Sequence, residues 1–243
     1  MSERNSKEHV APVLRDGDVF GENIKCTLIG DECVGKTSML LSYQTDTYPS
    51  QYVPTVLDTY SKSTTYNSKL INLQLYDIGG KERLDNSELQ GRIGTDVFLL
   101  CFSCDDRKSF DSVSSNWLSQ ITMYWMSQVS SGENGGVRDT DGNVYSPIII
   151  LVGCKSDTKN TKALLHEIRL HRRSGRKDPR PRLESKSLVS SKEALSASKR
   201  IKAHLYMECC ARNGTGIKEV FNAAINAVLQ RRNYLSSNRY ILK

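Results

Sequence analysis

The feature that most constrains the fold of this chain is a glycine-rich loop near its beginning. Residues 30–37 read Gly-Asp-Glu-Cys-Val-Gly-Lys-Thr and fit the pattern G-x-x-x-x-G-K-[ST]. In such a loop the backbone N–H groups surround phosphates, the lysine reaches the outer phosphates, and the threonine hydroxyl binds Mg²⁺. The apolar run at 24–29 predicts a buried strand before the loop, and residues 38–43 predict a helix after it. This order of elements predicts a nucleotide site in an α/β fold.

Composition narrows the class of protein. The chain has 243 residues and a net charge of +7. No stretch approaches the roughly 18 consecutive apolar residues of a membrane helix, and residues 1–21 lack the apolar core of a signal peptide. We therefore expect an intracellular, cytoplasmic protein, and its seven cysteines fit a reducing compartment. Cys101 and Cys104 have the spacing of metal ligands, but no second Cys/His pair stands at a zinc-like spacing, which favours a structural role.

The pattern along the chain predicts one domain between two extensions. Residues 1–22 are polar and are expected to form a flexible N-terminal extension, residues 23–231 alternate between strand and helix, and residues 232–243 form a basic tail. Within the domain, turn signals predict an irregular loop at 127–146, and 158–189 is a basic insertion that adds no strand. The insertion has three interpretations: a disordered solubilising segment, a contact with anionic lipid, or, least favoured, binding to RNA or DNA. Nucleic acid is disfavoured because no aromatic residues interleave the basic ones.

Periodicity and turn residues predict the other elements. A hairpin with its turn at Asn67-Ser68 is expected, and continuous apolar runs predict central strands. Strands are predicted at 59–66, 69–76, 96–102, 147–153 and 205–209, and helices at 110–126, 191–202 and 217–231.

The order and spacing of these motifs resemble the Ras superfamily of small GTP-binding proteins, and in particular its Rho branch. Besides the phosphate loop, the segment Tyr52-Val53-Pro54-Thr55-Val56 is similar to the Rho switch I sequence, and residues 95–103 and 206–209 are similar to Rho strands. The insertion at 158–189 also stands where the Rho branch has one. The resemblance implies a P-loop G domain with a six-stranded, mostly parallel sheet, one antiparallel edge strand, and helices on both faces. It also implies a GTP-binding molecular switch whose cofactors are GTP or GDP and Mg²⁺.

The resemblance assigns roles at the phosphate end of the site. Lys36 would neutralise the β- and γ-phosphates. Thr37 and Thr55 would bind Mg²⁺, Thr55 only when a γ-phosphate is present, and Asp77 would reach the metal through water. Gly80 would offer its N–H to the γ-phosphate. Other phosphate-loop residues expected to contact the nucleotide are Gly30, Asp31, Glu32, Cys33, Val34, Gly35 and Ser38.

The base end is assigned in the same way. Asp157 would accept hydrogen bonds from guanine and so select it over adenine, and Lys155 would lie along the ring. Tyr48 stands at the position of an aromatic that packs edge-on to guanine. The remaining candidates are Cys154, Cys210, Ala211 and Arg212, of which Cys154, Cys210 and Arg212 differ from the residues usual in the family.

Two departures from the family fall on positions that govern hydrolysis. Lys81 replaces the glutamine that orients the attacking water, and Glu32 replaces a glycine that packs against it. Gly80 and Lys81 are thus the candidate catalytic positions of a small GTPase whose hydrolysis is expected to be slow or defective, with the GTP state favoured. An ion pair between Glu32 and Lys81 is a further hypothesis. Glu32 and Cys154 also leave open a pseudo-GTPase that holds GDP or no nucleotide, whereas a P-loop kinase would share only the first motif.

Partners follow from the same resemblance. Effector proteins would bind the region Tyr52–Val56, and guanine-nucleotide exchange factors and GTPase-activating proteins are the expected regulators. The sequence ends without a prenylation motif, so the predicted membrane contact is limited to weak attraction of basic residues to an anionic surface. A role in the cytoskeleton or in cell polarity would rest on analogy alone.

Overall fold

The structure, a computed structural model, describes residues 21–49, 55–81, 94–131, 144–159 and 188–240. The strands are β1 (Glu22–Ile29), β2 (Leu57–Tyr66), β3 (Lys69–Ile78), β4 (Val97–Ser103), β5 (Ile148–Cys154) and β6 (Leu205–Glu208). The helices are α1 (Lys36–Thr45), α2 (Arg107–Ser112), α3 (Leu118–Ser131), α4 (Ser191–Arg200) and α5 (Ile217–Tyr240). A π-helical turn (Val113–Trp117) joins α2 to α3, and a 3₁₀ turn (Ser156–Lys159) follows β5.

The six strands form one sheet in the order β2-β3-β1-β4-β5-β6. Every neighbouring pair is parallel except β2 and β3, whose antiparallel hairpin turns at Asn67 and Ser68 with positive φ at both residues. The predicted fold class and the predicted hairpin are therefore confirmed. Because β1, β3, β4 and β5 run parallel, the loops that follow them meet at one edge of the sheet, where ligands of open α/β sheets bind.

Both faces of the sheet are covered by helices. Along β4 the residues are all buried and alternate between the faces, so that Leu99 packs with α1 and α5 while Phe98 packs with α2, α3 and α4. The same alternation separates the two cysteines that had metal-ligand spacing, because Cys101 lies in the first core and Cys104 in the second. Within the described residues, no group of three His, Cys, Asp or Glu side chains could hold a metal ion.

Two helices extend beyond their predicted ends. The irregular loop predicted from residue 127 begins later, because α3 continues to Ser131. Trp125 anchors that stretch, since its indole N–H donates to the Tyr145 carbonyl oxygen at 2.6 Å. Helix α5 continues past 231 to Tyr240, and Arg232, assigned to the tail, donates to the Asp96 carboxylate at 3.0 Å.

Several predicted segments lie outside the described residues. These are 1–20 of the N-terminal extension, 160–187 of the basic insertion, and most of the loop at 127–146. In the part of the chain that the structure describes, no helix has the length and apolar character needed to cross a membrane.

Candidate nucleotide-binding site

The phosphate loop wraps around the ammonium group of Lys36. This lysine is the first residue of α1 and is buried, and its Nζ donates to the carbonyl oxygens of Gly30 at 2.7 Å and Asp31 at 2.8 Å. Burial lowers the pKa of Lys36, while Asp77 and Asp31 oppose that shift. Gly30 has a φ of 140°, and a Cβ there would lie 2.1 Å from the Cys101 carbonyl oxygen, so only glycine fits. The turn therefore holds one positive charge beneath a ring of backbone groups.

Three oxygen-bearing side chains meet beside this charge. The Thr37 hydroxyl donates to Asp77 Oδ2 at 2.5 Å and lies 3.0 Å from the Thr55 hydroxyl. Asp77 is fully buried, and its Oδ1 has no hydrogen-bond partner among the described residues. Burial raises the pKa of the Asp77 carboxyl, against the hydrogen bond from Thr37 and the charge of Lys36. A buried carboxylate oxygen without a partner, next to two hydroxyls, is a donor set that suits Mg²⁺. The predicted metal residues thus fit the ion.

Two glycines after β3 bring three loops into contact. The Gly79 N–H donates to the Val56 carbonyl oxygen at 2.7 Å, and a Cβ on Gly79 would lie 2.3 Å from the Thr55 carbonyl oxygen. A Cβ on Gly80 would lie 2.1 Å from the backbone nitrogen of Glu32. Any side chain at these positions would push the loops apart, because both obstructing atoms belong to the backbone.

Just beyond these glycines, Lys81 and Glu32 form the hypothesised ion pair. Lys81 Nζ lies 3.4 Å from Glu32 Oε1, and the two side chains are 79% and 45% exposed. Glu32 also lines the phosphate end of the cavity. The pair therefore forms an exposed rim of the cavity. Beneath it, Lys36, Thr37, Thr55 and Asp77 form the floor, in which Lys36 and Asp77 are buried.

The cavity continues from the phosphate loop to the base motifs. A volume of about 380 Å³ is lined by Lys36, Thr37, Thr55 and Gly80, and an adjoining volume of about 240 Å³ is lined by the base motifs. The two volumes share the lining residues Gly35, Ser38, Tyr48 and Lys155. Together they have the size of a site for a nucleotide-sized ligand.

At the base end, Asp157 and Lys155 line the smaller volume from one side, and the loop after β6 lines it from the other. Lys155 adopts a φ of 56°, a conformation that is rare for a residue with a side chain and that is found at functional sites. Asp157 Oδ2 lies 4.0 Å from Arg212 Nη1. The Ser42 hydroxyl donates to the Ala211 carbonyl oxygen at 3.3 Å and so ties the last loop to α1.

The sequence model of the Ras family matches residues 25–230. The chain belongs to the Ras family. The match spans every loop of the cavity, and Ras-family proteins are small GTPases that bind GTP or GDP with Mg²⁺ and switch between states. They typically interact with effectors, exchange factors and GTPase-activating proteins.

The structure brings most of the predicted Ras-family site together. The cavity-lining residues among those predicted are Glu32, Cys33, Gly35, Lys36, Thr37, Ser38, Tyr48, Thr55, Gly80, Lys155, Asp157, Cys210, Ala211 and Arg212. Two others, Val34 and Cys154, are buried in the core, and Cys154 lies beneath the loop, 3.4 Å from where a Cβ of Gly35 would be. Of the effector region, residues 52–54 lie outside the described residues, while Val56 is 69% exposed.

Among the residues at the site that the sequence did not predict, Asp105 and Trp117 have polar groups placed to act there. Asp105, two residues after β4, lines the base end of the cavity and accepts a hydrogen bond from Ser103 at 2.5 Å. Its position after a parallel strand was an available signal. Trp117 was interpreted as a core residue, yet its indole N–H donates to Asp31 Oδ1 at 2.6 Å. Burial of a tryptophan implies a partner for its N–H but does not say which one.

Proposed function

We propose that this chain is a Rho-like GTP-binding switch that hydrolyses GTP slowly and therefore persists in the GTP-bound state. The observation that carries the proposal is the Glu32–Lys81 ion pair over the phosphate end of a cavity whose floor fits Mg²⁺ and phosphate. The floor supports nucleotide binding, and the rim is the reason to expect slow hydrolysis.

The floor residues have distinct tasks. Lys36 would place its ammonium group against the outer phosphates, since the carbonyl oxygens of Gly30 and Asp31 hold it in the loop. Thr37 and Thr55 would hold the metal through their hydroxyls, and Asp77 would face it with its partnerless oxygen. When bound, Mg²⁺ would neutralise charge on the phosphates. Asp157 would accept hydrogen bonds from the base, with Lys155 along the ring.

The rim lacks the group that hydrolysis needs. A lysine ammonium has three donors and no acceptor, so Lys81 cannot accept a hydrogen bond from an attacking water and orient it. Glu32 adds a second obstacle, because it lines the phosphate end of the cavity and would bring a negative charge close to the charge that develops on the transferred phosphate. The ion pair reduces that repulsion in the bound state without supplying a catalytic acceptor. Slow hydrolysis with retained binding is the expected result.

The contacts of Thr55 and Val56 with Thr37 and Gly79 support a preference for the GTP-bound arrangement. Thr55 lies within 3.0 Å of Thr37, and Gly79 is hydrogen-bonded to Val56. A GTP-bound switch I would hold Thr55 at the metal in this way and present Val56 to effectors. Effector binding at residues 52–56 is therefore part of the proposal.

A second candidate function is a pseudo-GTPase that serves as a scaffold. It is favoured by the placement of charge in the cavity, because Glu32 lines the phosphate end and Arg212 lies 4.0 Å from Asp157. The carboxylate would repel phosphate, and the guanidinium would compete with guanine for Asp157.

Identification of the nucleotide that copurifies with the protein separates these functions. The protein would be denatured and its nucleotide resolved by chromatography, beside a Glu32→Gly/Lys81→Gln variant that restores the family residues. We expect GTP in the unaltered protein and GDP in the variant. GDP in both would contradict the locked switch, and no nucleotide in either would support the scaffold.

A further inference from the structure

The chain has two tryptophans, both buried on the helical run from α2 to α3. Trp117 is 1% exposed and Trp125 is 6% exposed. Each indole N–H donates one hydrogen bond of 2.6 Å, but to different regions. Trp125 donates to the backbone oxygen of Tyr145, on the segment before β5, whereas Trp117 donates to the carboxylate of Asp31 in the phosphate loop.

The π-helical turn sets the position of Trp117. The turn spans Val113–Trp117, and the N–H of Leu118 donates to the carbonyl oxygen of Val113. Such insertions of one residue into a helix are frequent at functional sites. The ring of Trp117 belongs to the same core as Ile29 and Ile78, the last residues of the strands that lead into the phosphate loop and into Gly79 and Gly80. Trp117 is therefore part of the core that supports the ends of both strands.

Asp31 is held at two points. Its side chain accepts from Trp117, and its carbonyl oxygen accepts from Lys36 Nζ at 2.8 Å. The peptide between Asp31 and Glu32 faces Gly80, since a Cβ on Gly80 would lie 2.3 Å from the Asp31 carbonyl carbon. Orienting Asp31 thus orients the peptide against which Gly80 packs.

We propose that Trp117 is a positioning residue for nucleotide binding, which fixes the phosphate loop through its hydrogen bond to Asp31. Trp117 does not contact the ligand. It holds the Asp31–Glu32 peptide in the orientation that lets Lys36 and the loop N–H groups face the phosphates. Because it requires only nucleotide binding, the proposal stands or falls independently of slow hydrolysis.

The test compares Trp117→Phe with Trp125→Phe as a matched control. Both substitutions keep an aromatic ring in the core and remove an indole N–H. The measured quantity is the release rate of a fluorescent GDP analogue in the presence of Mg²⁺. We expect release about 10-fold faster in Trp117→Phe, the effect of losing a hydrogen bond to a charged group, and less than about 2-fold faster in Trp125→Phe. Equal effects of the two substitutions would overturn the proposal.

A cycle with Asp31→Ala separates positioning from loss of packing. Once Asp31 has no carboxylate, Trp117→Phe should add little to the release rate, because the hydrogen bond is already absent. A full effect of Trp117→Phe in the Asp31→Ala background would contradict the proposal, since a purely structural role would persist there.

Fluorescence gives a readout that does not require Trp117→Phe to fold. In the Trp125→Phe protein, Trp117 is the one remaining tryptophan. Its emission should change when the bound nucleotide is removed with EDTA and return when GDP and Mg²⁺ are restored. Emission that stays constant through this cycle would overturn the proposal.

Discussion

The floor and the rim of the cavity differ in burial and in chemistry. On the floor, Lys36 and Asp77 are buried and held by hydrogen bonds of 2.5–2.8 Å. On the rim, Glu32 and Lys81 are exposed and meet at 3.4 Å. The floor residues are those to which the sequence resemblance assigns phosphate and metal binding, whereas the rim residues are the two at which we propose a departure from the family.

From this difference we infer that binding and hydrolysis depend on separable parts of one site. Buried, hydrogen-bonded charges contribute more than exposed pairs, whose contribution is commonly about 0–1 kcal/mol. Substitutions on the floor should therefore have large effects on nucleotide affinity, and substitutions on the rim small ones. The rim should act on the rate of the reaction instead.

The largest effect on affinity is expected at Lys36. Lys36→Ala removes the charge that the loop holds against the phosphates, and affinity for GTP and GDP should fall by about 100-fold or more. Titration with a fluorescent nucleotide measures the change. Lys62→Ala is the control, because this amine contacts the carbonyl oxygen and ring of Tyr43 away from the cavity. Equal losses in the two variants would show that the floor is not the binding determinant.

The next effect concerns the metal. Thr37→Ala removes the hydroxyl that bonds Asp77 and lies beside Thr55, so Mg²⁺ affinity should fall by roughly 10–100-fold. When nucleotide release is measured across an Mg²⁺ titration, a higher Mg²⁺ concentration should then be needed to slow release than in the unaltered protein. Thr45→Ala, at the other end of α1, removes a hydroxyl whose hydrogen-bond partners among the described residues are Leu41 and Thr47, and should leave the titration unchanged. A normal Mg²⁺ titration for Thr37→Ala would refute the assignment.

A smaller effect is expected where the floor meets the switch loops. Gly79→Ala places a Cβ 2.3 Å from the Thr55 carbonyl oxygen, and relieving that overlap commonly costs about 1–3 kcal/mol. Amide hydrogen exchange at residue 79 should accelerate, because its N–H would lose the Val56 carbonyl oxygen as acceptor. Gly214→Ala is the control, because it strains a left-handed backbone but has open space around its Cβ. Unchanged exchange at residue 79 in Gly79→Ala would show that the contact with Val56 does not depend on this glycine.

The smallest effect on affinity belongs to the rim itself. A double-mutant cycle on Glu32 and Lys81, both replaced by alanine, should give a coupling of about 0.2–1 kcal/mol in nucleotide affinity, decreasing with added salt. Glu22 and Lys69 form a second exposed pair, with Lys69 Nζ 3.3 Å from Glu22 Oε1, at the first residues of β1 and β3. This pair should give no coupling in the same assay. A coupling of zero between Glu32 and Lys81 would show that the ion pair does not contribute to nucleotide affinity.

The floor could be predicted from sequence because its residues follow strands in short, recognisable motifs. Lys36 contacts groups only five and six residues away, so the loop pattern alone specifies its surroundings. The hairpin was predictable for the same reason. The partner of Trp117 could not be predicted in this way, because Asp31 is 86 residues away. Helical periodicity shows that one face of a helix is buried but does not show which residues that face contacts.

The ends of two helices also could not be predicted from the local sequence. Helix α3 continues past residue 126 because Trp125 bonds the backbone at Tyr145, and α5 continues past 231 because Arg232 bonds Asp96. The two contacts join residues 20 and 136 positions apart in the chain. Local turn and charge signals instead predicted an irregular loop and a tail.

The most direct test of slow hydrolysis is the single-turnover rate of GTP cleavage by the purified protein. It would be compared with Glu32→Gly/Lys81→Gln, and with Lys69→Gln as a control for removal of a lysine charge. We expect the rate of GTP cleavage to rise by at least about 10-fold in the double variant and to stay unchanged in Lys69→Gln. An unaltered protein that already cleaves GTP as fast as the double variant would contradict it.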